Sequence, residues 1–547
     1  MKTTRIQKVD RISGLPEPIL HHILSFLSFR EVAKTCVLSK TWDRAWHRYP
    51  FFKIDNGCFY SCSHYRDTVF RGRRLKLLGS LERSIRNRHR HCKDLVSMEK
   101  FNMVVDLFKD QEFASFVDRC VSYAIGCNVK KLRLDFASEN YDYDEGDRGK
   151  RWYNLSPIVL CAKSIEVLKL GRCKLELPIR NDVKLSRLRK LHLHEIDINN
   201  HVISNLFSGC PLIEEVIVGK CQGFDSIELF GLFRIIGIMM FDNWGFKRVD
   251  AKVLNVSSLT IVQHDAIIPF DINILYCTNL ENIKLVGASI TDEWLYKLTS
   301  ELPFLESLYL GSCHKLKRIK ISSPSLDTLQ ISECVKVVEL EMDSPNLSDF
   351  TYDGGMISLC SNALALSNID LYFNLIKLDT QWNVKLVELL SQFHSFSEML
   401  TLKVSEDEDF NVPKELRQIL PSPLSSGKHF QLVINKVCLP FSIAKVVDDF
   451  LSVAPHTETV SIDYYYSHGW SKNFFEFSYK KPLVNEGEPS PCFKSLPISC
   501  WQHCIEEVKL EIFNSDSIDE KMCSLRGVEF LEKVDGLCLL KSMMKSA

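Results

Sequence analysis

Residues 305–353 read LESLYLGSCHKLKRIKISSPSLDTLQISECVKVVELEMDSPNLSDFTYD. One small pattern recurs within them: an apolar residue, two others, an apolar residue, one other, an apolar residue, then two residues and a small one. It appears as Leu305-Leu308-Leu310-Cys313, Leu326-Leu329-Ile331-Cys334 and Leu347-Phe350-Tyr352. The last two apolar positions alternate, which predicts a short strand with one face turned inward. The small residue that follows lets the chain turn down beside its neighbour. A unit of this size closes no core alone, so it is stable only when stacked against further copies.

Outward from this stretch the pattern continues in both directions. Upstream it reads Met98-Phe101-Met103, Val129-Leu132-Leu134, Ile165-Leu168-Leu170-Cys173, Leu188-Leu191-Leu193-Ile196, Ile213-Val216-Val218-Cys221, Val256-Leu259-Ile261 and Leu280-Ile283-Leu285-Ala288. Most intervals fall at 21–25 residues, which is leucine-rich-repeat spacing. Extra half-period copies, Leu316-Ile319-Ile321 and Val337-Leu340-Met342, predict thinner layers whose intervening helix has been lost. Helices fit at His201–Ser208, before Gly209-Cys210-Pro211, and at Asp292–Ser300, before Pro303. Past residue 360 the pattern becomes irregular: Ser397-Leu400-Leu402 matches weakly, and PSPLSSGK at 421–428 marks a loop or boundary. The fold class expected is an α+β or α/β solenoid with irregular short repeats.

Composition agrees with a folded body and narrows its chemistry. The chain has 547 residues, 45% hydrophobic and 25% charged, with 68 Lys and Arg against 69 Asp and Glu, so no global field drives it onto nucleic acid or membrane. Residues 1–100 carry a local excess of basic groups, and the remainder an excess of acidic ones, so the two parts are expected to do different jobs. The start, MKTTRIQKVDRIS, lacks the apolar core of a secretory signal. The longest apolar run, Phe230–Phe241 (FGLFRIIGIMMF), is too short to cross a bilayer and reads as buried core. A protein of the nucleus and/or cytoplasm is expected, with its 20 cysteines reduced and used as small apolar packing residues.

No cofactor or metal is expected. Cys58, Cys62, His64, His91 and Cys92, like Cys492, Cys500, His503 and Cys504, lack the paired C-x-x-C spacing of structural zinc sites. The acidic stretches Asp142–Asp147 and Glu406–Asp409 lack calcium-loop spacing and read as surface loops. Residues 66–93 are strongly basic, yet have no interleaved aromatics of the kind nucleic-acid binding uses. Leu75, Leu78, Leu81 and Ile85 instead predict a helix with one apolar and one solvated basic face; the alternatives are a surface for an acidic partner, a phosphate site, or a nuclear-localisation patch. No GxGxxG after a strand, P-loop, GxSxG or HExxH is present, so intrinsic catalysis is not expected. His192 and His194 flank a strand's leucines and are read as surface residues rather than an acid/base pair.

The N-terminal segment 10–52 reads DRISGLPEPILHHILSFLSFREVAKTCVLSKTWDRAWHRYPFF. Ile19, Leu20, Ile23, Leu24 and Leu27 mark one amphipathic helix, Arg30 to Val37 a second, and Trp42 with Trp46 a third, N-capped by Ser39. So small a unit leaves apolar residues to be covered, either by the rest of the chain or by a partner.

This segment is similar to an F-box. Leu15-Pro16, Ile19-Leu20, Ile23-Leu24, Leu27, Val32-Ala33, Val37-Leu38-Ser39-Lys40 and Trp42 stand where that motif has them. Glu17-Pro18 departs from it, since relatives often carry two acidic residues there; the apolar anchor is intact. The resemblance implies docking onto a Skp-type adaptor that joins a cullin scaffold, a RING protein and a ubiquitin-conjugating enzyme. The adaptor-binding residues it points to are Leu15, Pro16, Ile19, Leu20, Ile23, Leu24, Leu27, Leu38 and Trp42, some of which must instead hold the helices together. The C-terminus, through Cys500-Trp501 and Ile505–Phe513, resembles the FBD region of plant F-box/leucine-rich-repeat proteins, and would also serve as a cap on the last repeat.

The organisation expected is therefore an F-box at 8–54, a basic helical connector at 55–95, a leucine-rich-repeat solenoid at 96–420, and irregular repeats with an FBD-like cap at 421–547. The function expected is a non-catalytic substrate-recognition subunit of an SCF-type ubiquitin ligase, with an unknown target protein on the repeats and no membrane or nucleic-acid partner. The alternatives are a binding scaffold without a ubiquitin role, or a small-molecule co-receptor using basic residues such as Arg133 or Lys169.

Overall fold

From Met98-Phe101-Met103 through Leu347-Phe350-Tyr352, each apolar position of the repeat pattern is buried. The computed structural model describes residues 10–27, 29–55, 79, 82, 83, 85, 97–107, 111–138, 152–177, 183–264, 269–363, 366–373, 382–391, 393, 396–406, 427–437, 446, 457–466, 472–479, 505–512 and 523–525. The chain divides into two units, Met1–Cys277 and Thr278–Ala547.

In the first unit, three helices, α1 (Glu17–Ser25), α2 (Phe29–Thr35) and α3 (Lys40–Arg48), lead directly into a strand, Phe51–Asp55. That strand pairs in parallel with Lys100–Leu107, Phe52 opposite Phe101 and Ile54 opposite Met103. The parallel ladder then runs through Lys131–Ser138, Val167–Gly171, Lys190–His194, Glu215–Gly219, Gly237–Phe241 and Ser258–Val262. The sheet thus begins inside the 8–54 segment. Phe52 stacks on Phe101 with centroids 5.2 Å apart and planes 5° from parallel, which welds the helical end to the first repeat.

Short strands form separate three-stranded sheets behind this ladder. Tyr153–Leu155, Cys173–Leu175 and Asp197–Ile198 make one, and Ser226–Phe230, Arg248–Lys252 and Asp271–Asn273 another. Helices occupy the same place in other repeats, including Gln111–Gly126 and Asn200–Ser208.

The second unit repeats the plan. Asn282–Val286, Ser307–Gly311, Thr328–Ser332, Asp349–Gly354, Asn368–Phe373, Phe396–Glu406, Gly427–Val437 and Thr457–Tyr466 pair in parallel in chain order. Lys472–Tyr479, Ile505–Ile512 and Cys523–Leu525 then add in antiparallel fashion, so the repeat ladder ends as a meander. The half-period copies are not merely thin: Arg318–Ser322, Glu339–Asp343 and Ser358–Ser361 form a parallel sheet of their own where longer repeats place a helix. Basic residues of the first meet acidic residues of the second, as in Lys320 Nζ to Glu341 Oε1 at 2.7 Å.

One repeat was hidden in the apolar run Phe230–Phe241. It is not uniformly buried core: Ile235, Ile238 and Met240 are buried and carry the repeat pattern, while Phe230, Phe233, Ile236 and Met239 are exposed. The alternation was masked because the outward positions happen to be apolar too.

The turn after each strand works differently from the expectation. The small residue at the end of the pattern is buried, but the residue just after the strand makes the turn. Arg172, Glu195, Lys220, Asp242, Ser312 and Glu333 all have φ between 47° and 54°, and Gly287 has 75°. Each donates its backbone N–H to the next layer: Arg172 to His194 O, Glu195 to Gly219 O, Lys220 to Phe241 O, Asp242 to Val262 O, Gly287 to Gly311 O, Ser312 to Ser332 O and Glu333 to Asp353 O. The left-handed conformation costs a non-glycine residue about 1–2 kcal/mol, offset here by carrying the ladder one residue further. The side chains at these sites lie exposed or half-exposed, so polar residues of several types serve there.

Asn243 occupies the small-residue position of its repeat and makes two hydrogen bonds to the preceding layer. Its Oδ1 accepts from Cys221 N at 3.0 Å and its Nδ2 donates to Val218 O at 3.0 Å. Cys173, Cys221, Cys313 and Cys334 fill the equivalent place elsewhere as buried free thiols. Burial pushes the Cys221 thiol up to about 12, which leaves it inert.

Candidate adaptor-docking surface

α1 starts at Pro16-Glu17-Pro18, where ring-fixed φ values suit a first turn that needs no N–H partner. Its apolar residues form two adjacent stripes. Leu20 and Leu24 are buried against α3, whereas Ile19 and Phe26 remain in solvent with Ile23 half-buried between them. α3 begins at Ser39, whose Oγ accepts the Trp42 N–H at 3.4 Å and lies 2.8 Å from Ser13 Oγ. Trp42, Ala45 and Trp46 line its inner face and are buried with Val32 of α2. His21 Nε2 sits 3.1 Å from Ala45 O, a second tie between α1 and α3.

This core divides the nine residues that the sequence singled out. Leu20, Leu24 and Trp42 are interior and hold the helices together. Leu15, Ile23 and Leu27 are half-buried, and Pro16, Ile19 and Leu38 are exposed. Ile19 is 46% exposed and Leu38 65%. Sequence reasoning missed Ile12, Val37 and Phe26 as exposed members, of which Val37 is 82% and Phe26 76% exposed. The spacing held the signal for Phe26: Ile19, Ile23 and Phe26 follow i, i+4, i+7, one residue out of step with Leu20, Leu24 and Leu27.

The surroundings are lightly charged. Glu17 Oε2 lies 3.4 Å from Arg48 and its Oε1 3.6 Å from His21, exposed contacts worth little. Burial, and secondarily Asp43, push the Cys36 thiol up, so it is a packing group. Among the described residues no group of three or more His, Cys, Asp or Glu gathers as a metal site. Both cysteine-histidine groups named from the sequence lie outside the described residues, as do Cys500-Trp501 and the acidic stretch 142–147. In the basic connector, Ile85 is buried and Glu82 bonds Arg119 of the Gln111–Gly126 helix at 2.7 Å; Leu75, Leu78 and Leu81 lie outside the described residues.

Comparison with known proteins places names on these parts. The F-box domain family matches residues 12–54, which contain the three helices. The leucine-rich repeats described for the FBD-associated F-box protein At5g56370 match residues 145–232, and the At1g61320/AtMIF1 leucine-rich-repeat domain matches 266–481. These matches make the chain similar to plant F-box/leucine-rich-repeat proteins of the FBD-associated type. The F-box/LRR-repeat protein At3g59200 of Arabidopsis thaliana is 29% identical over 266 residues, 45% of this chain and 40% of that one. The F-box/LRR-repeat protein At3g59190 is 28% identical over 254 residues, 46% and 55% of the two chains. The F-box/FBD/LRR-repeat protein At2g04230 is 28% identical over 224 residues, 40% and 44%. The aligned part thus spans about half the length of these relatives.

Proposed function

We propose that this F-box/leucine-rich-repeat protein is the substrate-recognition subunit of an SCF-type ubiquitin ligase, docking a Skp-type adaptor through its F-box and a target protein through its repeats. The observation that carries the reading is the exposed apolar surface on α1 and the α2–α3 turn. Ile19, Phe26, Val37 and Leu38 stay in solvent although the helices already possess a complete core in Leu20, Leu24, Trp42 and Trp46. Large side chains left out of a finished core are hot-spot material for a partner.

In this reading the adaptor-binding residues are the exposed and half-buried members of the predicted set, Leu15, Pro16, Ile19, Ile23, Leu27 and Leu38, joined by Ile12, Phe26 and Val37. Leu20, Leu24 and Trp42 act by shaping that surface. Residues 8–54 serve docking, the repeats serve recognition, and the meander after Tyr466 caps them. Catalysis belongs to the RING and ubiquitin-conjugating partners, and the chain raises the target's local concentration beside the charged carrier. Among the described residues no helix is long and apolar enough to cross a membrane, and the proposed place of action is the nucleus or cytoplasm.

The test is co-purification with a Skp-type adaptor and cullin, wild type against an Ile19→Asp, Val37→Asp double variant whose folding is checked by circular dichroism. Capture of both partners by wild type and loss by the variant supports the reading. A folded wild type that captures no adaptor overturns it and leaves a scaffold without a ubiquitin role.

A further inference from the structure

The ladder of the first unit aligns one outward-facing row across consecutive strands. Register places Lys53 beside Asn102, Asn102 beside Arg133, Arg133 beside Lys169 and Lys169 beside His192. Neighbours in such a row are one strand spacing apart, about 4.8 Å. Three permanent cations therefore lie within five strands, and no carboxylate shares their row.

The carboxylates in the flanking rows are already engaged. Asp135 is held by Arg172 at 2.7 Å and touches Arg133 at 3.5 Å. Glu215 pairs with Lys190 and with His192 Nε2, the latter at 3.0 Å. Asp55 is bound by Lys53 at 2.9 Å. Lys169 is half-buried and, among the described residues, has no ion pair or hydrogen bond. Two positions along the row, Asn102 Oδ1 is buried and without a hydrogen-bond donor among the described residues.

These two features ask for different groups from one partner. Lys169, and the guanidinium nitrogens of Arg133 that its single contact with Asp135 leaves over, ask for negative charge, and Asn102 asks for an N–H. A peptide supplies both, through acidic side chains and its backbone amides.

From this juxtaposition we infer that the sheet face around Arg133, Lys169 and Asn102 binds an extended acidic segment of a protein target. The inference rests on the ligase-receptor reading only for the word target; the surface itself is independent of the F-box. Each phosphate-like or carboxylate contact made by a lysine adds to salt dependence, whereas contacts to backbone amides do not.

The test uses the full chain in complex with its adaptor, or alone if no adaptor binds, and fluorescence anisotropy with three labelled probes: an octamer of glutamate, an octamer of glutamine, and an eight-nucleotide uridine RNA. The glutamate peptide is expected to bind roughly tenfold or more tighter than the glutamine peptide, with affinity falling as salt rises. Lys169→Met is expected to lower that affinity several-fold and Lys169→Glu to abolish it, while adaptor co-purification is unchanged. Asn102→Leu is expected to weaken both peptides alike. Equal binding of the two peptides overturns the inference, as does indifference to Lys169→Met. RNA binding as tight as the glutamate peptide, with the same dependence on Lys169, also overturns it by making the face a general polyanion surface. Because adaptor capture is read separately, failure here and failure of the docking proposal are told apart.

Discussion

Ile19 and Leu20 are consecutive residues of α1, and the first is 46% exposed while the second is fully buried. A helix advances 100° per residue, so neighbours on the boundary of an apolar arc part company, one to the core and one to the surface. On the proposed docking role of the exposed face, the pair separates stability from docking. Leu20→Ala is expected to destabilise the helical end by about 2–5 kcal/mol through the cavity it leaves. Ile19→Asp is expected to leave thermal unfolding nearly unchanged and to remove adaptor capture. Melting curves and pull-downs on the same two proteins check this, and equal loss of stability in both would refute the division.

The N-cap of α3 gives a second expectation. Ser39→Ala removes the acceptor for the Trp42 N–H together with the contact to Ser13 Oγ. Loss of about 1 kcal/mol is expected in denaturant unfolding. Ser39→Asp should keep most of it, because a carboxylate caps the same N–H and favours the helix's positive end.

Left-handed turn residues are the third case. Lys220 has φ 51° and donates its N–H to Phe241 O at 2.8 Å. A β-branched side chain fits this region poorly, so Lys220→Val is expected to cost at least about 1–2 kcal/mol, and Lys220→Gly to cost little. Urea denaturation of the two variants distinguishes this backbone effect from loss of the lysine charge, which both share. Beside it, Gly219 has no room for a side chain, because a Cβ would strike the Phe241 ring.

Asn243→Ala leaves the Cys221 N–H and Val218 carbonyl without their partner inside a buried layer. A cost of about 1–3 kcal/mol is expected, and Asn243→Leu, close in size, should not restore stability. Full recovery with leucine in thermal unfolding would show that packing rather than hydrogen bonding is what the position requires.

His192 provides a pH signature. Burial first, and then the charge of Lys169, hold its imidazole below the ordinary value, even though Glu215 Oε1 lies 3.0 Å away and acts in the opposite sense. The unfolded chain takes up this proton near pH 6.5 and the folded chain only at lower pH. Stability is therefore expected to fall as pH drops below about 6.5, and this contribution levels off once the folded imidazole is protonated. Glu215, held below the usual carboxylate range chiefly by Lys190, contributes in a separate and more acidic window, where its stabilisation is lost as pH falls. Lys169→Met should raise the His192 titration midpoint by NMR; an unchanged midpoint would show that burial alone sets it.

The repeat body was legible because its signal is local and periodic. The triad Leu305-Leu308-Leu310 names its own inward face, and strict two-residue alternation tolerates no other reading. Gly237–Phe241 escaped because Phe233, Ile236 and Met239 are apolar and exposed, which erased the contrast on which periodicity depends. The back sheet at Arg318–Ser322 and Glu339–Asp343 was visible as half-period copies, but that these strands pair with one another follows from stacking, which no single repeat contains.

The N-terminal helical end shows the same limit. Its residue spacing sufficed to find three helices and an apolar excess, since helical period and cap chemistry are properties of neighbouring residues. Which of Leu15, Pro16, Ile19, Leu20, Ile23, Leu24, Leu27, Leu38 and Trp42 face inward depends on where α3 lies across α1, a contact between residues some twenty positions apart such as His21 and Ala45. Likewise the row from Lys53 to His192 joins residues up to 139 positions apart through sheet register. Local periodicity names the elements and their apolar faces; burial and cross-strand alignment arise only when distant elements pack, because an environment belongs to a pair of surfaces rather than to either one alone.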